Sequence, residues 1–424
     1  MNNEDITFTA FGGAKEIGRS CYMLEKDGKA ILLDAGIKVV KNNILMPDID
    51  KNNEFDSVIL SHAHTDHVGM LPLIKFNTAY ATKPTKELSK LLWADQKKLT
   101  GLFDNRLIND AYSKIKAVEY RKPFSLNHVF KAEFFEAGHI LGSAMTLIND
   151  KILYTGDFNT SASRILNPAL PVKADVIILE GTYLGGENKF LPKKELIKQF
   201  SSIVNNVLNR NGCIIIPCFA IGRAQEILIT LEALIRSGII KKVPIYIDGM
   251  IKKAMKIYRQ NVIYAREEIK MRILASLDDP FMNPLFKVSR HKKRADIKKP
   301  CIIVSTSGML NGGPIFHYLN LLANDDKNMI LFVGYQAEGS KGAEIINGKR
   351  LIETDYGEIH INAEVQQIRF PGHAQHDELI RFVRTIKPKK AIFVHCERNI
   401  ESLLSSELKD IEFIIPSINE NIKL

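Results

Sequence analysis

The chain has 424 residues, of which 45% are hydrophobic and 25% charged, and its formal net charge is +10. These values are typical of a globular protein rather than a disordered or fibrous one, and the length favours two domains. No apolar run approaches the roughly 18 residues of a membrane-spanning helix, so we expect no association with a membrane.

The N-terminal residues and the cysteines favour a cytoplasmic protein. Residues 1–5 are polar and acidic, so we expect no secretory signal. The five cysteines are scattered and form no CxxC pair, which predicts neither a disulfide framework nor a cysteine zinc site. A reducing compartment fits this pattern best. Residues 251–300 carry 14 Lys and Arg against 5 Asp and Glu, which favours a polyanionic partner such as nucleic acid.

The first part of the chain is predicted to be rich in β-strands. Residues 20–25 and 29–33 flank a Lys-Asp-Gly turn and are typical of a hairpin. Residues 86–99 have helical periodicity. Further strands are predicted at residues 6–11, 131–136, 144–148 and 151–154.

After about residue 184 the pattern changes to alternating strands and helices. Helices are predicted at residues 193–208, 222–236 and 250–258. Strands are predicted at residues 213–220, 243–247, 301–305 and 329–333. This alternation predicts a parallel sheet with helices on its faces.

Residues 61–67, Ser-His-Ala-His-Thr-Asp-His, hold three imidazoles and a carboxylate within six consecutive positions. These side chains suit zinc and similar divalent ions. They cannot all face one ion from a regular helix or strand, so a loop is expected. Residues 56–60 before it predict a buried strand that delivers this loop to a two-metal hydrolase site.

Four other residues of the same kind lie near the ends of predicted strands: Asp34, His139, Asp157 and His395. A single aspartate at such a position is usually a turn residue, and a single histidine is usually structural. Their order along the chain, together with residues 61–67, favours one shared metal site.

In combination, these motifs resemble the metallo-β-lactamase superfamily. Leu-Glu-Gly-Thr-Tyr at 179–183, Phe-Pro-Gly-His at 370–373 and Val-His-Cys-Glu at 394–397 resemble motifs A, B and C of its β-CASP subgroup. The strings at 216–226 and 307–310 are similar to the catalytic subunit of the cleavage and polyadenylation specificity factor and its archaeal and bacterial relatives. The architecture also resembles the RNase J branch.

The resemblance implies an α/β fold, a metallo-β-lactamase αββα sandwich with an inserted α/β β-CASP domain. The metallo-β-lactamase domain would comprise residues 1–183 and a return segment, 363–424. The β-CASP domain, a parallel sheet flanked by helices, would comprise residues 184–362.

The resemblance also implies two divalent metal ions, with zinc the expected metal. One site would use His62, His64 and His139, and the other Asp66, His67 and His395. Asp157 would bridge the two ions, and Asp34 would orient a ligand or the loop from behind. Asp66, His373 and Glu180 would be the catalytic residues, with His373 as the general acid held by Glu180. His376 is an alternative acid.

Four residues are candidates for contacts with substrate phosphate. Ser305, Ser307 and Gly308 belong to a loop of small residues whose backbone N–H groups could hold a phosphate. An ordinary turn between a strand and a helix is the alternative. Arg223, at a predicted helix start, could also contact phosphate or could be structural.

The resemblance implies a metal-dependent ribonuclease in which a hydroxide activated by two zinc ions hydrolyses RNA phosphodiester bonds. We expect an endonuclease acting on single-stranded RNA in mRNA 3′-end processing or decay, and His395 at motif C favours RNA over DNA. A 5′–3′ exoribonuclease of the RNase J type is the alternative. A small-molecule metallo-hydrolase and a non-catalytic scaffold are less favoured. Residues 399–424 could pair two copies into a homodimer, or their apolar side chains could be buried within one domain.

Overall fold

The computed structural model describes residues 6–40, 43–50, 53–185, 190–275, 278–288, 296–354, 356–397 and 400–424. Residues 1–5, residues 276–277 and 289–295 of the basic stretch, and residue 399 lie outside the described residues. The chain divides into two compact units, unit 1 (Met1–Lys189 and Gly372–Leu424) and unit 2 (Phe190–Pro371). No helix in the described part of the chain has both the length and the apolar character needed to cross a bilayer.

The first segment of unit 1 is mostly β-structure. Its strands are β1 (Thr7–Gly12), β2 (Cys21–Lys26), β3 (Lys29–Leu33), β4 (Lys38–Val40), β5 (Asn43–Leu45), β6 (Glu54–Ile59), β7 (Lys75–Ala81), β8 (Ile115–Ala117), β9 (Phe124–Ser125), β10 (Lys131–Glu136), β11 (Ala144–Ile148), β12 (Ile152–Tyr154) and β13 (Val176–Glu180). Its helices are α1 (Thr65–Val68), α2 (Lys83–Thr100) and α3 (Asn105–Ser113), with a 3-10 turn at Leu71–Leu73.

Unit 2 alternates helices and strands. Its helices are α4 (Lys193–Asn209), α5 (Arg223–Arg236), α6 (Ile251–Gln260), α7 (Glu267–Leu274), α8 (Ile315–Leu322) and α9 (Lys341–Ile346), with 3-10 turns at Val262–Tyr264 and Pro280–Met282. Its strands are β14 (Cys213–Pro217), β15 (Ile245–Ile247), β16 (Phe286–Val288), β17 (Cys301–Ser305), β18 (Met329–Phe332), β19 (Leu351–Thr354), β20 (Gly357–His360) and β21 (Glu364–Gln367).

The chain then returns to unit 1. The elements of this segment are α10 (His376–Ile386), β22 (Lys390–Val394), α11 (Glu401–Glu407), β23 (Glu412–Ile414) and β24 (Asn421–Lys423). The strands join both sheets of unit 1, since β24 pairs with β1 while β22 pairs with β13 in parallel. Phe413 and Ile415 of this segment pack against a core of unit 1.

Unit 1 is a four-layer αββα sandwich. Its sheets have the strand orders β24-β1-β2-β3-β6-β7-β8 and β23-β22-β13-β12-β11-β10-β9. Phe8 and Leu24 of the first sheet share one core with Phe134 and Ile178 of the second. On the outer face of the first sheet, Trp93 of α2 is fully buried and donates to Val68 O at 2.9 Å. Unit 1 therefore has the αββα architecture that the family resemblance implies.

The helices on the outer face of the second sheet are held by a separate apolar core. Leu379 and Phe382 of α10 and Leu404 of α11 pack with Ile177 and Phe393 of the sheet. Backbone N–H of Gln375 donates to the Glu378 carboxylate at 2.9 Å, which closes the first turn of α10. This helix fixes the chain just after residue 373.

Unit 2 contains a six-stranded sheet with the order β16-β15-β17-β14-β18-β21, and every neighbouring pair is parallel. The central strands β14 and β17 are buried along their whole length, as expected for strands covered on both faces. The order also means that loops following β15, β17, β14 and β18 leave the same edge of the sheet.

The predicted domain limits stay a prediction, but the units divide the chain at slightly different places. The chain returns to unit 1 at Gly372 rather than at residue 363. The reason is β21, which pairs with β18 and so adds a last strand to the sheet of unit 2.

Candidate metal centre

The candidate site forms where strands from both sheets of unit 1 end. Asp34 follows β3, and residues 61–67 follow β6, the parallel neighbour of β3. His139 follows β10, Asp157 follows β12, and His395 directly follows β22. Because parallel strands end at the same edge of a sheet, these loops meet in space.

The imidazoles of His62, His64 and His139 form a first group, which converges on one point together with Asp157. Nδ1 of His64 lies 3.1 Å from Nε2 of His62 and 3.1 Å from Nε2 of His139. Asp157 Oδ2 lies 3.5 Å from His62 Nε2 and 3.8 Å from His139 Nε2. Ligand atoms in a tetrahedral site with Zn–N bonds of about 2.0–2.1 Å are about 3.3 Å apart. These four atoms are therefore spaced like the ligands of a single small cation.

Asp66, His67 and His395 form a second group, which lies at the other oxygen of the Asp157 carboxylate. Asp157 Oδ1 is 3.2 Å from His67 Nε2 and 3.5 Å from His395 Nδ1. His395 Nε2 is 3.4 Å from Asp66 Oδ2. One carboxylate oxygen thus faces each group, which is the arrangement of a bridging ligand.

Three of the histidines are fixed through Nδ1, which turns Nε2 towards the centre. The partners are Ser61 Oγ at 3.0 Å for His62, Asp34 Oδ2 at 2.7 Å for His67, and the Gly372 carbonyl at 2.9 Å for His139. Metal-binding histidines generally have such a partner, because it fixes both the tautomer and the ring orientation.

Asp34 is fully buried and has a left-handed backbone, with φ of 61°. Its Oδ1 accepts a hydrogen bond from Ser61 N–H at 2.7 Å. Its Oδ2 accepts from Ser61 Oγ and from Tyr154 OH, both at 2.6 Å, and lies 2.7 Å from His67 Nδ1. Asp34 therefore ties the histidine loop to β12 and orients His67.

We expect Tyr154→Phe to weaken zinc binding by about 10- to 100-fold, the usual effect of removing a group that orients a metal ligand. The ring stays in place, while Asp34 loses one of the hydrogen bonds that fix it. Competition with a chromophoric chelator would measure the affinity.

The matched control is Tyr22→Phe. The Tyr22 ring packs 5.9 Å from that of Tyr154, and among the described residues its hydroxyl makes no hydrogen bond to Asp34. Equal zinc affinity in the wild type and Tyr154→Phe would contradict the orienting role.

The histidines differ in protonation. Burial lowers the pKa of His62, His64 and His139, and neighbouring imidazoles add to the shift. For His67 burial also opposes the charge, but the carboxylates of Asp157 and Asp34 raise its pKa well above the ordinary value. The lowered pKa values favour the neutral form of these three imidazoles at neutral pH, the form that binds a cation, whereas a cation bound at His67 would compete with a proton.

Three buried atoms in the centre support a fit to divalent cations. His67 Nε2, Asp157 Oδ1 and His395 Nε2 lie close together but make no aligned hydrogen bond to any residue that the structure describes. Leaving buried polar groups unpaired costs about 1–3 kcal/mol each. Cations at the two groups would satisfy these atoms, and imidazole with carboxylate is a ligand set that zinc accepts.

His373 and Glu180 form a pair beside the two groups. Glu180 is the last residue of β13, and both of its carboxylate oxygens lie 3.0 Å from His373 Nδ1. His373 Nδ1 is also 3.9 Å from Asp157 Oδ2. Burial opposes a charge on the ring, but the Glu180 carboxylate prevails and raises the pKa of His373 to about 9. Glu180 thus orients the His373 ring through Nδ1 rather than through Nε2.

Three residues that contact the predicted ones were not singled out in the sequence. Ser61 and Tyr154 hold Asp34, as described above. Thr182 donates to Glu180 and lies 3.1 Å from His395 Nδ1. Ser61 and Thr182 lie within quoted motifs, and Tyr154 ends the strand that leads to Asp157, but nothing in these patterns indicates the contacts.

The predicted phosphate-binding residues belong to unit 2. Ser305 ends β17 and is buried, and Ser307 and Gly308 lie in the loop after it. Ser307 N–H donates to Gly312 O at 3.3 Å and its hydroxyl accepts from Asn311 N–H at 2.9 Å. Arg223 begins α5 and donates to Phe370 O at 2.6 Å. Their contact with substrate stays a prediction.

His376, the alternative acid, is the first residue of α10. Its Nε2 lies 3.0 Å from the Glu407 carboxylate. Among the described residues it belongs to none of the three groups of metal-type ligands, whereas His373 shares one with Asp157 and Glu180. The geometry therefore favours His373.

Comparison with known proteins gives matches along most of the chain. A model of the Beta-Casp domain matches residues 224–345, and a model of the Zn-dependent metallo-hydrolase RNA specificity domain matches residues 358–416. A model of the anti-Pycsar protein Apyc1 matches residues 7–184.

Among similar proteins, the RNase J-like protein of Methanocaldococcus jannaschii is 38% identical over 91% of each chain. Transcription termination factor FttA of Methanosarcina mazei is 34% identical over 91% of this chain and 65% of that protein. FttA of Lokiarchaeum sp. is 35% identical over 93% of this chain and 67% of that protein. The chain thus spans about two thirds of the length of the FttA relatives.

A crystal structure of a protein of unknown function from Enterococcus faecalis V583 has the same fold. It superposes with a TM-score of 0.62 at 14% identity, covering 99% of this chain and 100% of that one.

An αββα unit with two groups of histidines and aspartates at its strand ends is typical of a metal-dependent hydrolase. Together with the domain matches and the 38% identity, it shows that the chain belongs to the β-CASP ribonucleases of the metallo-β-lactamase superfamily. The expected class, a metal-dependent hydrolase that acts on RNA, is confirmed.

Proposed function

We propose that this protein is an endoribonuclease that cuts single-stranded RNA with two zinc ions. His62, His64 and His139 would hold one ion, Asp66, His67 and His395 the other, with Asp157 between them. The observation that carries the proposal is that each oxygen of the buried Asp157 carboxylate faces a different group. A cytoplasmic location, a role in mRNA 3′-end processing or decay, and a homodimer through the C-terminal region stay predictions.

When bound, two divalent ions would lower the pKa of an attacking water and offset charge on the phosphoryl oxygens. The chain itself supplies orientation and a proton. Asp34 fixes His67, while Glu180 holds His373 through Nδ1. His373 would then present a proton at Nε2 to the leaving oxygen of the RNA, as a general acid. Asp66, whose Oδ2 lies 3.4 Å from His395 Nε2, would complete the second group.

The test uses one single-stranded RNA, labelled at the 5′ end in one tube and at the 3′ end in another. Wild-type protein with zinc is expected to give internal fragments in both tubes and to cut a circular form of the RNA. His64→Ala should abolish cutting because it removes a ligand, whereas His128→Ala should not, because His128 is exposed.

Two results would change the proposal. Release of mononucleotide from the 5′-labelled RNA alone, with the circle intact, would indicate a 5′–3′ exoribonuclease. Undiminished cleavage by His64→Ala would contradict the role of the metal ligands. Elemental analysis of the same samples is expected to find about two zinc ions per chain in the wild type.

A further inference from the structure

The loops at one edge of the sheet in unit 2 form a continuous surface. A Cβ atom at Gly249, after β15, would lie 2.1 Å from Thr306 Oγ1, after β17. Cys218 N–H, after β14, donates to Ser305 O at 2.9 Å. Gln336, after β18, donates through Nε2 to Gly308 O at 3.0 Å. Four neighbouring strand ends are thus joined by direct contacts.

Two exposed aromatic rings lie on this surface. Phe219 follows β14 and is 44% exposed, and Tyr335 follows the neighbouring strand β18 and is 53% exposed. In the described part of the chain only one other large aromatic residue, Tyr356, is as exposed. Gly308 packs against Phe219, since a Cβ there would lie 2.9 Å from Phe219 N and 3.3 Å from Cδ2. Phe219 is therefore supported by Gly308, and nearly half of its surface stays exposed.

Positive charge lies on the same edge of the sheet. Lys252 and Lys253 are in the first turn of α6, just after the end of β15. Both side chains are exposed, and neither makes an ion pair with a residue that the structure describes. We call Lys252, Lys253, Ser307, Phe219 and Tyr335 the strand-end surface.

We propose that the strand-end surface binds single-stranded RNA, with unpaired bases stacked on Phe219 and Tyr335 and phosphates near Lys252 and Lys253. Proteins that bind single strands combine positive charge along the backbone with aromatic rings for the bases. A double-stranded nucleic acid would not bind in this way, because its bases are already stacked on one another and paired. This inference rests on the proposed function, to which it adds a second contact region for the substrate.

The test compares two ligands in EDTA, which keeps the RNA intact. One is a fluorescent oligouridylate, and the other is a ribose-phosphate chain of the same length without bases. Phe219→Ala and Tyr335→Ala are each expected to raise the Kd for the oligouridylate by about 5- to 150-fold, the effect of losing one stacked base. Neither substitution should change the Kd for the chain without bases.

The matched variants Phe219→Tyr and Tyr335→Phe keep the rings and should keep the wild-type Kd. Lys252→Gln with Lys253→Gln should make the salt dependence of log Kd shallower by about 0.7 for each phosphate that no longer pairs with a lysine. All of these positions are exposed, and circular dichroism would confirm that each variant is folded.

Equal binding of the two ligands by the wild type, or equal weakening of both by the alanine variants, would overturn the stacking role. Zinc-dependent cleavage of RNA by the wild type would show that the proposed function survives such a result. Absence of both RNA binding and cleavage would instead contradict the proposed function itself.

Discussion

Replacing Asp157 with asparagine is expected to lower the rate of RNA cleavage by at least about a thousandfold. The reason is that metal ions contribute several kcal/mol of transition-state stabilisation, and each 1.4 kcal/mol is a factor of ten in rate. Asp157 is only 3% exposed and lies between both groups of ligands, so one substitution would affect both of the proposed ions. Single-turnover cleavage and zinc content, measured on the same samples, would check the prediction.

The matched control is Asp150→Asn, the same chemical change at an exposed turn residue of unit 1. It should leave both zinc content and cleavage unchanged. If Asp157→Asn kept its full zinc content and its activity fell only a few-fold, the bridging role would be wrong.

Replacing His373 with alanine should slow the chemical step by about 10²- to 10⁴-fold, which is the usual contribution of a general acid. Zinc content should not change, because His373 contacts Glu180 and is not one of the proposed metal ligands. Single-turnover rates at saturating protein would separate this effect from weaker RNA binding.

A substrate with a sulfur leaving atom at the scissile bond tests the role directly. A thiolate leaves without a proton, so His373→Ala should cut this substrate nearly as fast as the wild type does. His376→Ala serves as the control, because that ring pairs with Glu407 and should have little effect on either substrate. An equal defect of His373→Ala on both substrates would indicate a structural role instead.

Long apolar runs made much of the fold predictable. Residues 301–305 were predicted as a strand and form β17, because a short run rich in β-branched residues is typical of a strand that is buried on both faces. Helix α10 was not predicted, although Leu379, Ile380 and Val383 have helical spacing. The residues just before it were interpreted as a motif of the active site and not for their secondary structure. Strands β20 and β21 are short and largely polar, so no periodicity marked them.

The metal-type residues were predictable because side chains of this kind lie in short motifs at strand ends. Their supporting contacts were not, since these depend on how the two sheets of unit 1 pack. Tyr154 is 120 residues from Asp34 in the chain, and no local pattern links the two. The same holds for Thr182 and His395, which are 213 residues apart.

Unit 2 lies in the chain between Glu180 and His373, so the centre of unit 1 is assembled from two distant segments. His62, His64, Asp157 and Glu180 are synthesised early, but His373 and His395 follow only after all of unit 2. During translation, a partly made chain therefore lacks both the proposed acid and one proposed ligand. The proposed catalytic centre of unit 1 can therefore form only after all of unit 2 and residue 395 have been added to the growing chain.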